Sequence, residues 1–188
     1  MIIRKENLEN FLEKVKVWYA INISHRKYEP SAEKLRYNRI LNNKARLLYT
    51  PVIDQMWDFI PQMMKRKIPE ANVQQAFVLD TVYKFASLIK NPKLLCIGSF
   101  EDTASVCLKM LGFNLTEIDP SINYDLENFY NLPDTKKESF DIIFSTSVLE
   151  HVEKDDEFIT QIAELLIPGG IGVLTCDFNN DYKKGERL

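Results

Sequence analysis

Several short apolar runs of this chain end in residues able to do chemistry. Gly98 follows Leu94-Leu95-Cys96-Ile97 and leads into Ser99-Phe100-Glu101-Asp102. Asp119-Pro120 closes the run Phe113 to Ile118, and Asp125-Leu126 stands shortly after. Ser145-Thr146-Ser147 ends the run that begins at Phe140, with Glu150-His151 just beyond. An acid that closes a buried strand can accept hydrogen bonds from both hydroxyls of a ribose, so Asp119 is a candidate for holding a nucleoside. The plainer reading of Asp119 is a loop aspartate before proline. His151 can act as general base on a hydroxyl, because an imidazole titrates near neutral pH. The alternative is a helix-start histidine bonded to backbone. With two histidines, three dispersed cysteines and no HExxH, no metal site is expected. G-x-S-x-G and Walker-type loops are absent, and without G-x-G-x-x-G a nicotinamide-dependent oxidoreductase is a weak reading.

The elements that must position these residues follow from periodicity. Leu94 to Ile97, Phe113 to Ile118, Phe140 to Ser145 and Ile171 to Cys176 read as short strands, and all but the second lack polar alternation, as expected of strands covered on both faces. Between the first two, Ala104, Cys107, Leu108 and Leu111 recur at helical spacing, and Gly112 suits a helix end. Between the last two, Phe158, Ile159, Ile162, Ala163, Leu165 and Leu166 do the same, and Pro168-Gly169-Gly170 turns the chain. Strand, helix, strand in this order makes parallel crossovers, and ligands of such sheets bind beyond the carboxyl ends of the strands.

Ahead of Pro92 the pattern is helical. Leu8, Phe11, Leu12 and Val15 mark a helix over Asn7 to Ile23. Ser31 is placed to cap a second, over Pro30 to Tyr49. Pro51 is placed to open a third, with Met56, Trp57, Phe59 and Ile60 on it and a kink at Pro61, and a fourth spans Val73 to Ile89. Trp18, Tyr19, Tyr28, Tyr37 and Tyr49 could stack sugars or bases. Aromatics at helical spacing are more often core, and no clear nucleic-acid partner is expected.

The stretch Ser139 to Asp177, SFDIIFSTSVLEHVEKDDEFITQIAELLIPGGIGVLTCD, resembles the second half of the class I S-adenosylmethionine-dependent methyltransferase fold, of the methyltransferase type 11-like kind. The resemblance spans about residues 75–177. It implies an α/β, doubly wound, mostly parallel Rossmann-like sheet behind a helical N-terminal region, divided into a cap over 1–72 and a cofactor-binding domain over 73–188. It implies S-adenosyl-L-methionine as cofactor and S-adenosyl-L-homocysteine as product. The family's glycine-rich loop corresponds to Cys96 to Asp102. Only Gly98 fits that pattern, since Phe100 and Asp102 stand where glycines are common and Cys96 where an acid is common. Glu101 or Asp102 either replaces the missing carboxylate for the cofactor's ammonium or merely favours a helix N-terminus.

The resemblance further implies that Gly98, Ser99, Phe100 and Glu101 line the methionine part, and that Asp119 and Pro120 meet the ribose. Asp125 and Leu126 reach adenine from the end of a third strand, and Ser145 and Thr146 lie above the methyl-donor sulfur. For His151 the backbone-bonded reading is favoured, because methyl transfer often needs only in-line placement. The leading expectation is O-methylation of a small molecule or glycan, similar to methyltransferases of surface-polysaccharide biosynthesis. The rival is a catalytically inactive, methyltransferase-like binding or scaffold module, favoured by the altered loop. The family's last two strands are not found before Leu188, so the edge at Ile171 to Cys176 is expected to be covered, either by a second copy in a homodimer or by polypeptide outside this sequence, the alternative being a short edge left to water.

Composition narrows the rest. The chain has 188 residues, enough for one domain with an elaboration. Residues 1–70 hold 14 Lys/Arg against 8 Asp/Glu, and all six glycines lie at or beyond Gly98. A basic front could face an anionic substrate, although solvated helix faces explain it more simply. Cys96, Cys107 and Cys176 lack CxxC spacing and read as reduced core residues of a cytoplasmic protein. No apolar run reaches the roughly 18 residues needed to span a membrane, and no membrane partner is expected.

Overall fold

A computed structural model describes residues 14–15, 27–32 and 38–177. Of the expected helix over Asn7 to Ile23, Lys14 and Val15 are described and helical, and the rest lies outside the described residues. The chain divides into two compact units, one of residues up to Asp80 with Thr103–Phe113, the other of Thr81–Asp102 with Asn114 onward.

In the first unit, helix α1 spans Asn43–Phe59, α2 Pro61–Met64 and α4 Thr103–Met110; α3, Pro69–Ala86, begins there and ends in the second unit. Helix α1 starts later than Ser31 would place it. Asn42 caps it instead, its side-chain oxygen accepting from the Lys44 and Ala45 amides at 3.0 and 3.3 Å. Ala45, Tyr49, Val52, Met56 and Phe59 form its buried stripe at steps of three and four. Pro51 lies inside α1 rather than opening a helix. The carbonyl it leaves without a helical partner belongs to Leu47, whose side chain is exposed. Pro61 starts α2 at a position where a missing N–H costs nothing.

Ser31 has another task. Its amide and hydroxyl donate to the two carboxylate oxygens of Asp80 at 2.8 and 2.6 Å, and the Tyr28 hydroxyl donates to the first at 2.9 Å. Asp80 is fully buried on α3, so these bonds replace the hydration its carboxylate gives up.

The second unit is built on a four-stranded parallel sheet in the order β2-β1-β3-β4. The strands are β1 Leu94–Ile97, β2 Leu115–Ile118, β3 Phe140–Thr146 and β4 Leu166–Thr175. Helix α5, Leu126–Tyr130, precedes β3, and α6, Asp155–Leu165, joins β3 to β4. Phe158, Ile162 and Leu165 of α6 pack with Leu95, Ile97, Ile118 and Ile143 in one apolar cluster on a face of the sheet. The backbone amides of Glu138 and Ser139 donate to Glu164 O and Leu165 O, satisfying carbonyls at the end of α6. This is the doubly wound α/β arrangement that the run-and-helix pattern implies.

Strand β4 departs from the reading in two ways. It begins at Leu166, before Pro168-Gly169-Gly170, and its register with β3 jumps from Phe140↔Leu166 to Ile142↔Ile171. The Pro-Gly-Gly turn is thus a bulge, with Gly169 at φ +83°. A Cβ on Gly170 would stand 2.9 Å from Ile167 O and 3.1 Å from Asp141 O, so backbone runs too close there for a side chain. Full burial of both faces is not found either. Gly172 and Cys176 are exposed, Ile171 and Leu174 half-buried, and Val173 and Thr175 buried. Cys176 is therefore no core residue, unlike Cys96 and Cys107.

Candidate active site

The carboxyl edge of the sheet is knitted together by its own loops. The amides of Gly98 and Ser99 both donate to Ile118 O, at 2.9 and 3.1 Å, so the chain leaving β1 leans across the end of β2. Gly98 has φ +78°, and a Cβ there would lie 2.3 Å from Val148 Cγ2. The next turn closes through Asp102 N to Ser99 O, with Glu101 in the left-handed region at φ +55°. Phe100 is left 58% exposed at the tip.

Asp119 joins this loop to the one after β2. Its Oδ2 accepts from the Phe100 amide at 3.2 Å and its Oδ1 from the Ser121 amide at 2.7 Å. Each carboxylate oxygen has a further lone-pair direction, so both can still take a ligand hydroxyl. Asn123, which the sequence reading did not single out, fixes the acid. Its Oδ1 accepts from the Asp119 and Tyr124 amides and its Nδ2 donates to Glu117 O. The available signal was the composition Asp-Pro-Ser-Ile-Asn, typical of side chains that bond local backbone. Pro120 is exposed beside Asp119.

Asp125 does not end a strand. It is the N-cap of α5, its two oxygens accepting from the Asn128 amide and side chain at 2.7 and 2.9 Å. The sequence Asp-Leu-Glu-Asn starts a helix more readily than it extends one more strand. Leu126 is buried in the apolar cluster of the sheet.

Ser145 and Thr146 end β3 and are buried, at 2% and 8% exposure. Their hydroxyl oxygens, and that of buried Ser99, have no hydrogen-bond partner among the described residues. Ser147 turns the chain at φ +53°, its amide donating to Thr175 O at 3.0 Å. A short 3₁₀ turn, Leu149–His151, follows. His151 is exposed, and its amide donates to Val148 O.

Three further residues were given no role from the sequence. Glu150 Oε1 accepts from the Asp177 amide at 3.4 Å, and its Oε2 is buried without a partner, as is the Thr175 hydroxyl. Gln75 Oε1, within the first unit, accepts from Thr103 Oγ1 and Ala104 N at 3.0 and 2.8 Å, capping α4 from a distant helix. No local pattern announces any of them.

Cys176 adjoins Glu150. Its thiol is pushed up from the usual range, first by partial burial and then by the carboxylates of Glu150 and Asp177. Its alkylation by iodoacetamide therefore follows a pH profile displaced to higher pH than a free thiol's, because the thiolate reacts. Glu150→Gln removes one of the carboxylates and shifts the profile back down. A profile identical in wild type and variant would disconnect the two groups.

The edge thus offers an acid with spare acceptor capacity, a glycine without room for a Cβ, and buried hydroxyls in want of partners. That set fits the ribose and amino-acid parts of the expected nucleoside cofactor. Among the described residues no group of three or more His, Cys, Asp and Glu is placed to hold a metal, and no helix is long and apolar enough to cross a membrane. Residues 102–174 match the family model described as "Methyltransferase domain". No curated protein matches the chain.

Proposed function

We propose that the protein is a class I S-adenosylmethionine-dependent methyltransferase, on the match of residues 102–174 to the family model described as "Methyltransferase domain", and that it methylates a hydroxyl of a small molecule or glycan. The observation that carries this reading is the loop Gly98–Asp102 tied to Asp119 beside the buried, unpartnered hydroxyls of Ser99, Ser145 and Thr146. Bound there, the cofactor supplies a methyl group on a sulfonium, activated for in-line transfer.

The chain's own residues do the rest. Asp119 accepts from the ribose hydroxyls through the lone pairs that Phe100 N and Ser121 N leave free. Ser99, Ser145 and Thr146 gain partners that they lack within the protein. Glu101 stands near enough in sequence to Gly98 to meet an ammonium, and Phe100 covers what the loop holds. Asp125 and Leu126 mark the adenine end, with Asp125 acting through spare lone pairs because α5 uses its carboxylate first. His151, exposed on the turn after β3, takes the proton from the acceptor hydroxyl.

Calorimetry with S-adenosylmethionine and S-adenosylhomocysteine, with NAD as control, tests the core of this. We expect binding of both sulfur ligands and none of NAD. Asp119→Ala weakens S-adenosylhomocysteine by roughly 1–3 kcal/mol, the scale of charge-assisted hydrogen bonds; unchanged affinity would remove Asp119 from the site. His151→Ala slows methyl transfer by about a hundredfold or more while affinity holds. An unchanged rate would leave it the backbone-bonded residue of its turn. Phe100 and Asp102 in the glycine positions favour a second reading, a binding or scaffold module without catalysis. Absence of cofactor binding in the intact protein would select it.

A further inference from the structure

The cofactor leaves one part of the edge unexplained. Thr146 and Thr175 are register partners at the ends of β3 and β4, so their side chains stand side by side on one face, on strands about 4.8 Å apart. Both are more than nine-tenths buried, and neither hydroxyl has a partner among the described residues. Glu150 comes to the same corner. Its Oε1 takes the Asp177 amide, two residues past Thr175, and its Oε2 is buried without a donor. Buried polar groups are nearly always paired, because each one left alone costs about 1–3 kcal/mol. Three at one corner, on elements meeting at the carboxyl edge, are an arrangement that a ligand would complete.

The donor and acceptor inventory says what kind. A carboxylate oxygen only accepts, while each threonine hydroxyl gives one hydrogen and takes others. The corner already holds the carboxylates of Glu150 and Asp177, which add to the effect of burial in raising the Cys176 thiol. It therefore repels phosphate and carboxylate groups. A pair of adjacent hydroxyls matches it: one donates to Glu150 Oε2, and the other exchanges hydrogen bonds with the threonines.

We propose that Thr175 and Glu150, with Thr146 shared between them and the cofactor, form the acceptor subsite, and that it recognises the vicinal hydroxyls of a sugar or other polyol. This rests on the methyltransferase reading and deepens it. Glu150 and Thr175 here set which acceptor is held.

Saturation-transfer NMR on the full chain, loaded with S-adenosylhomocysteine, tests it with glucose, galactose, mannose, rhamnose and glucosamine as probes. At least one neutral sugar should receive saturation from the wild-type protein. Thr175→Val and Glu150→Gln should each reduce its affinity about five- to tenfold, equivalent to one hydrogen bond. The Thr175→Val variant carries its own control. Replacing a buried, unpaired hydroxyl by a methyl should raise the melting temperature of the sugar-free protein by about 2–4 °C, whereas a threonine with a purely structural bond would lower it. A response from glucosamine alone would overturn the hydroxyl assignment in favour of an ammonium. No response from any sugar, or responses unchanged in both variants, would overturn the subsite. Calorimetry of S-adenosylhomocysteine on the same samples separates the two failures. Bound cofactor without sugar response sinks only the subsite, and absent cofactor binding sinks the methyltransferase reading beneath it.

Discussion

If the proposed cofactor site is right, Gly98→Ala is expected to abolish measurable S-adenosylhomocysteine binding, and it is expected to lower unfolding stability by about 2–4 kcal/mol. Two separate costs add. The backbone at this residue has φ +78°, where an L side chain costs roughly 1–2 kcal/mol. The new Cβ would also fall 2.3 Å from Val148 Cγ2, well inside contact distance. Relief of the clash requires either Val148 or the loop to move. The loop is the piece whose Gly98 and Ser99 amides bond Ile118 O and whose Phe100 amide bonds Asp119. The double variant Gly98→Ala/Val148→Ala isolates the steric part. With Val148 Cγ2 gone, the nearest of its atoms is Cβ at 3.7 Å, an ordinary contact. Stability relative to Val148→Ala alone should then fall only by the φ cost, giving a coupling of about 1–2 kcal/mol. Additive losses in urea unfolding would show that the contact is not what excludes a side chain from position 98.

Asp80→Ala lowers stability by about 3 kcal/mol, a melting-temperature loss of about 6–12 °C. It strands three donors at once, the Tyr28 hydroxyl and the amide and hydroxyl of Ser31, around a site at zero exposure. The segment at 27–32 should become more open to proteolysis, since Asp80 ties Tyr28 and Ser31 to α3, while Glu29 keeps its two bonds to Gln55. Asp80→Asn should cost less than half as much. Its amide oxygen still accepts from Tyr28 and Ser31, and the Ser31 hydroxyl can reverse to accept from the amide nitrogen. Equal losses for the two substitutions would mean that charge, not hydrogen bonding, is what the site needs.

Segments that carry their own instructions were legible one at a time. Leu94 to Ile97 and Phe140 to Thr146 are strands because a run without polar alternation suits a parallel sheet covered on both faces. Phe158, Ile162 and Leu165 announced α6 by spacing, and the order of runs and helices announced the doubly wound topology. The positions of Gly98, Asp119, Ser145 and Thr146 at strand ends followed from the same boundaries. Where two local readings competed, the sequence was weaker. Asp125 could close a strand or cap a helix, and capping won because Asn128 offers both an amide and a side chain to it. Ser31 could cap a helix or serve elsewhere, and a carboxylate 49 residues away claimed it.

The pairings across the molecule were decided by tertiary structure alone. Gln75 caps α4 from 29 residues away in sequence, Asp119 reaches back to the Phe100 amide, and Thr175 meets Thr146 only once β3 and β4 lie in register. A hydrogen bond of that kind leaves no periodicity behind, because it needs one atom at one place rather than a repeated character along an element. By itself the sequence determined the class of fold and which residues stand at the strand ends. The folded chain decided which of those residues are free to meet a ligand and which are already bound to the protein. That distinction depends on distances between elements, and local pattern contains none.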